Sequence, residues 1–290
     1  MQLLVNAAIT GSFAALMAAG LSLVYGVLGV FNMALGQIAL VGGYVTWWLV
    51  SLSVPLPAAI IGGLVSAAAV TAISFEIAVS PFYQRHRFLP LVTTIALSMI
   101  LDGGIQMLFH EDPKTIMAGS RSLIHLGSAV ISVNQITLIA LTGCFLLLLI
   151  WALLGTTLGR RIRATVQHPA AAESLGINAP LLHRAVFILS GVLAACAGIF
   201  QGIDLNLTPV LGFPITIKAY AALIAGGKDS LKGAVLCAYL IALLEQLAVG
   251  VPWFGFYISA GYQSTVALAV IIIVLIWKPT GLFGSVTRRA

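Results

Sequence analysis

An all-α polytopic membrane protein is the fold class this sequence predicts, and three observations carry the prediction. Of 290 residues, 60% are hydrophobic and 8% charged, with a mean hydropathy of +1.10, whereas a soluble domain carries about 25% charged residues. The apolar residues gather into eight or nine runs, each suited to a hydrocarbon layer about 30 Å thick at about 20 residues per crossing. The runs are continuous, as from Gln135 to Leu158, unlike the short alternating segments of a transmembrane barrel, so helices must satisfy the backbone within the bilayer. The expectation is about eight transmembrane helices plus broken or half-spanning helices and a short cytoplasmic helix. They form a single transmembrane domain over residues 1–290.

The first two runs are Leu3 to Leu28 and Ala34 to Leu52, broken by GVFNM with Asn32 at the break. The start has no positive side chain before its apolar run and no evident cleavage site, so it reads as a retained helix rather than a removed signal peptide. A third run, Pro57 to Val79, leads to the basic loop PFYQRHRFLP with Arg85 and Arg87, and Leu91 to Phe109 crosses back. The next loop, HEDPKTIMAGSRSLIHLGS, balances Glu111 and Asp112 against Lys114 and Arg121 and is long enough for a small contact surface. Gln135 to Leu158 follows.

The chain is then interrupted from Gly159 to Arg184, GRRIRATVQHPAAAESLGINAPLLHR, with Arg160, Arg161, Arg163 and Arg184 against the single acid Glu173. Pro169 suits a first helical position, AAAESL has good helix propensity and Gly176 sits where a helix C-terminus ends. A helix this short is marginal in water and requires a surface to dock on.

Ala185 to Ile203 crosses next, and DLNLTPVLGFP is punctuated as an outer segment. From Ile215 to Ala225 the run is only eleven residues long, about half the layer at 1.5 Å each, which predicts a half-spanning or broken element. GGKDSLKG, Ala234 to Val249, Ala260 to Trp277 and a basic tail complete the chain. Arg85, Arg87, Arg160, Arg161, Arg163, Arg184, Lys228, Lys232, Lys278, Arg288 and Arg289 then lie on one side, and Lys114, Arg121 and Lys218 on the other. Eleven of the fourteen basic residues thus mark the cytoplasmic face. The C-terminus is placed inside and the N-terminus outside.

Several chemistries are excluded. AGGKDS around Lys228 fails as a phosphate loop because Ala222 and Asp229 occupy its decisive places. The five histidines fall singly in predicted loops, no HExxH or GxSxG occurs, and Cys144, Cys196 and Cys237 read as small buried thiols. No catalytic residue, metal site or cofactor is expected. The net charge of +6 forms no basic stripe with interleaved aromatics, so nucleic acid is not a partner. Small residues at helical spacing, such as Gly191, Ala194, Ala195, Gly198 and Gly202, predict close helix packing within the subunit. Glu76, Asp102, Asp204, Lys218 and Glu245 fall in or near the apolar layer and need partners or water. Glu245 lies about eleven residues into its run and is read as a satisfied helix contact or path wall rather than a proton carrier.

Four segments in order resemble a LivH-type permease, the membrane subunit of an ATP-driven importer of branched-chain amino acids. They are Leu21 to Val45, Ile162 to Asn178, Ile224 to Leu236 and the closing KPTGLFG, Lys278 to Gly284. The chain differs from the family's usual pattern at Leu35, Gln37, Asp229 and Lys232. The resemblance implies a multi-pass protein of the bacterial cytoplasmic (inner) membrane. Its implied partners are a second, related permease, two cytoplasmic ATPase subunits, an extracytoplasmic solute-binding protein and the lipid bilayer. It further implies a coupling helix in the loop 159–184, with Arg160, Arg161, Arg163, Ala164, Ala171, Ala172, Gly176 and Ile177 facing the ATPase. A mostly apolar path is then lined near Asn32, Gly36, Gln37, Tyr44, Gly226, Gly227 and Glu245. Ala171 and Ala172 are expected to form one compact docking face. Importers of urea, short amides or other amino acids are alternative readings, as are a secondary carrier using Glu245, a passive channel and a structural subunit.

Overall fold

The computed structural model describes residues 1–83, 88–117, 123–126, 129–228, 230–250, 259–278 and 280–284. Arg85, Arg87, Arg121, Asp229, Arg288 and Arg289 lie outside the described residues. The structure is built from α1 (Gln2–Leu28), α2 (Leu35–Ser51), α3 (Leu56–Ser74, continued by a π-helical turn Phe75–Val79) and α4 (Leu89–Phe109). A hairpin of β1 (Leu123–Leu126) and β2 (Ala129–Ser132) precedes α5 (Val133–Gly155), α6 (Thr157–Gln167) and α7 (Pro169–Ser174). α8 (Ala179–Asp204), α9 (Gly212–Gly226), α10 (Leu231–Gly250) and α11 (Gln263–Trp277) complete it.

Seven of the described helices, α9 taken with the 3-10 turn Pro209–Leu211 before it, are long and apolar enough to cross a membrane, with α2 and part of α11 as shorter apolar helices. The polytopic all-α class holds. α9 has fifteen residues rather than eleven, about 22 Å of rise, so with the turn before it the segment is a near-complete span and not the half-span expected.

α1 and α8 form the centre, with most of their residues buried, and close approach is what the small residues permit. A Cβ at Gly198 would strike the backbone of Ala39, and one at Gly42 would strike Ala195. Gly20 faces the Ser190 carbonyl and Gly191 faces Thr71. The small-residue faces are therefore used inside the subunit, as expected. α3 and α5 flank this centre with large exposed apolar side chains such as Ile61, Val65, Leu147 and Trp151, the surface expected against lipid or another membrane subunit.

The ends of α1 mark the two faces of the molecule. Gln2 exchanges hydrogen bonds with the backbone of Val130 in β2, at 3.2 and 2.8 Å. Its other end meets the arginine-bearing loop, where Ser22 and Gly26 share a cavity wall with Ile162 and Arg163. The hairpin pairs Leu123 with Ser132 through Leu126 with Ala129. It sits where an irregular loop was expected, and Ser132 with Gln135 forms a capping box that starts α5.

Three further expectations are corrected. His183 lies in the second turn of α8, beside the Tyr83 ring at 5.7 Å, and His125 lies in β1, so neither is in a loop. Cys144 is exposed on α5, while Cys196 and Cys237 are buried. Lys218 is within α9 and ion-paired to Glu245 at 3.1 Å, so its charge answers a carboxylate and gives no signal of sidedness.

Candidate functional site

The surface expected to meet the ATPases begins at the turn from α5 into α6. Gly159 N–H donates to the Thr156 hydroxyl at 3.3 Å, capping α6, and a Cβ at Gly159 would enter the Leu153 backbone. This close approach tucks Gly159, Ile162 and Thr165 inward and leaves Arg160, Arg161 and Arg163 exposed. Arg163 also donates to the Leu153 carbonyl. Ala164 is half-buried between them.

α7 follows with Pro169 in its first turn and ends at Gly176, whose φ of 79° is the left-handed conformation glycine favours. Ile177 N–H closes the turn on the Ala172 carbonyl at 3.1 Å, and the Asn178 side chain caps α8 by accepting from Leu181 N–H at 3.0 Å. Within α7 the two alanines part company. Ala172 is 2% exposed and Ala171 is exposed, because neighbouring helical positions point about 100° apart. They form no shared docking face. The outward apolar group is Leu175, 81% exposed, at the C-terminal end of α7. A cavity of about 360 Å³ beside it is lined by Leu158, Arg161, Gly176, Ile177 and Leu181.

Of the residues expected along a path, Asn32, Gly36, Gln37 and Tyr44 are buried within the subunit. Asn32 Oδ1 accepts from Ala34 N–H at 3.1 Å, an Asx-type turn just ahead of α2. Gly36 N–H donates to the Thr216 hydroxyl at 3.0 Å, where a Cβ would collide with Gly212 and Thr216. Tyr44 stacks on Phe109 with ring centroids 4.9 Å apart. Asn32 Nδ2, Gln37 Oε1 and the Tyr44 hydroxyl are buried with no hydrogen-bond partner among the described residues.

Gly226 and Gly227 lie elsewhere. Gly227 adopts φ 103°, and the closing segment folds back so that Leu282 N–H and Phe283 N–H donate to the carbonyls of Ala225 and Gly226 at 2.7 and 3.1 Å. The third and fourth segments of the resemblance are thus one backbone clasp. Glu245 borders a cavity of about 310 Å³ between α1, α9 and α10.

A family model for the permease component of branched-chain amino acid transport systems matches residues 3–275. The chain belongs to this family. This permease is 30% identical to the high-affinity branched-chain amino acid transport system permease protein BraD of Pseudomonas aeruginosa, over 98% of this chain and 95% of that protein. It is 27% identical to LivH of Escherichia coli K12, with the same coverage. The ribose import permease RbsC of that organism is 26% identical over 90% of this chain and 81% of its own. Among solved structures, PsaBC from Streptococcus pneumoniae in complex with Fab shares the fold. That match has a TM-score of 0.50, 16% identity, and coverage of 95% of this chain and 91% of that one. The resemblance read from four segments is therefore the family relationship, and the permease is a multi-pass membrane transport subunit.

Proposed function

We propose that this permease is half of the membrane pathway of an ATP-driven, binding-protein-dependent importer of branched-chain amino acids in a bacterial cytoplasmic membrane. It pairs with a related permease, receives solute from an extracytoplasmic binding protein and is driven by two cytoplasmic ATPase subunits. The substrate reading follows from BraD and LivH, which match nearly the full chain and are named as branched-chain amino acid permeases. No catalytic function is assigned to it.

The observation that carries the coupling role is Leu175, a large apolar side chain 81% exposed at a polar, arginine-bearing surface. An exposed leucine at the C-terminal end of α7, with a cavity beside it whose wall includes Arg161, has the form of a protein contact: an apolar centre with a charged rim. Closure of the ATPase pair pushes on α7, and α8, which meets α7 and runs to the opposite face, carries the motion to the path. The orientation agrees, since the end of α1 at Gln2 lies with the hairpin, away from the arginine loop. With arginines inside, the N-terminus is outside and the C-terminal clasp inside.

The test is co-purification of the ATPase subunits with Leu175→Glu and with Ala171→Arg, in permease whose insertion is verified. Both variants should lose the ATPases, Leu175→Glu most completely. Wild-type recovery with both would remove α7 from the contact.

A further inference from the structure

We propose that the cavity between α1, α9 and α10 is a binding station for a zwitterionic aliphatic α-amino acid, with its ammonium on Glu245 and its carboxylate on Lys218. The proposal rests on the importer reading and adds a solute site within the permease.

Glu245 is 6% exposed, with Oε2 held by Lys218 Nζ at 3.1 Å. Its other oxygen, Oε1, is buried with no hydrogen-bond partner among the described residues. Glu245 lines the cavity, and a carboxylate oxygen buried without a donor is an unsatisfied acceptor. An ammonium has three such donors, and Lys218, having given one N–H to Glu245, keeps two for a carboxylate. Charges then alternate as ammonium, Glu245, Lys218, carboxylate, with no need to break the existing pair.

The pair also selects by net charge. Its own sum is zero, so a cation or an anion adds an uncompensated charge to an apolar site, whereas a zwitterion adds none. The rest of the wall supplies the aliphatic half of the recognition through Phe13, Leu211, Ile215 and Ile241. A volume of about 310 Å³ is at the small end of the roughly 300–1,000 Å³ typical of ligand pockets. That suits one small solute. Glu245 stands five residues before the end of α10 at Gly250, and Gln201 and Leu205 close α8 on the same wall. The station therefore lies toward the outer face, where solute released by a binding protein enters.

The experiment uses the full permease complex without its binding protein, in nanodiscs, titrated by saturation-transfer NMR. The probes are L-leucine, leucinamide, which keeps only the ammonium, and 4-methylpentanoate, which keeps only the carboxylate. Saturable leucine binding is expected, with both one-ended analogues weaker by roughly tenfold or more, since each loses a charged hydrogen bond. Ala242→Phe fills the cavity while keeping both charged residues in the chain and should abolish leucine binding while the complex still elutes intact. The analogue series needs no variant and decides the matter if Ala242→Phe fails to assemble. Leucinamide binding as well as leucine, no saturable leucine binding, or full binding by assembled Ala242→Phe would overturn the station. ATP-driven leucine uptake by the same complex with its binding protein present tests the importer reading separately. Uptake without the station leaves that reading standing, and ATP-independent uptake removes it.

Discussion

Gly198 shows how much of this membrane core rests on single missing atoms: a Cβ there would strike the backbone of Ala39 where α8 crosses α2. Gly198→Val should separate the two helices and destabilise the permease by several kcal/mol, more than ordinary overpacking at about 1–3 kcal/mol, because backbone rather than a mobile side chain must give way. A fall of the thermal midpoint in detergent checks it. The small-residue spacing on α8 was legible in the sequence, because helix contact in lipid depends on such residues. The Lys218 and Glu245 pair was only half legible. Both were noted as ionisable groups in apolar runs, but their 27-residue separation carries no spacing signal, and only folding of α9 against α10 joins them. Lys218→Met should cost about 3–5 kcal/mol by stranding the Glu245 carboxylate, and Lys218→Met with Glu245→Met should recover most of it. Equal losses in the single and double variants would show that the two do not act as a pair.

At the scale of elements, α7 was read at nearly its observed bounds because Pro169 and Gly176 punctuate it, and punctuation is local chemistry. Its facing was not legible, since which alanine lies underneath depends on how α7 packs on the rest of the chain. Ala172→Arg should therefore destabilise the permease itself, lowering its yield of folded protein, whereas Leu175→Glu should leave folding intact and remove only the ATPase. Equal yields for the two would contradict the burial of Ala172. α6 was missed although Gly159, Ile162 and Thr165 recur at three-residue spacing against arginines, a pattern that marks one inward face. The charge count in that stretch drew the reading toward a loop. The hairpin too had an unused signal, since LIHL and AVIS are separated by Gly-Ser, the two-residue spacing of a hairpin. Asn178 and Pro180, a side-chain cap and a first-turn proline, were the unused signals that α8 begins before His183.

For the whole molecule, fold class was the most legible, because run length is imposed by the bilayer and not by tertiary detail. The path was the least legible. Asn32, Gly36, Gln37 and Tyr44 sit in the packed centre, and Gly226 and Gly227 hold the closing clasp, whereas the cavity opens beside a residue pair from separate segments. Sidedness has its own check: a cysteine introduced at Gln2 should react with an impermeant maleimide on intact cells, and one at Leu175 only after permeabilisation. The importer claim itself is met most directly by leucine uptake into proteoliposomes holding this permease, its companion subunits and its binding protein. Uptake should require ATP on the arginine side, persist when a protonophore collapses the proton gradient and fall to background with Leu175→Glu. Uptake that proceeds without ATP, or that the protonophore alone abolishes, would contradict it.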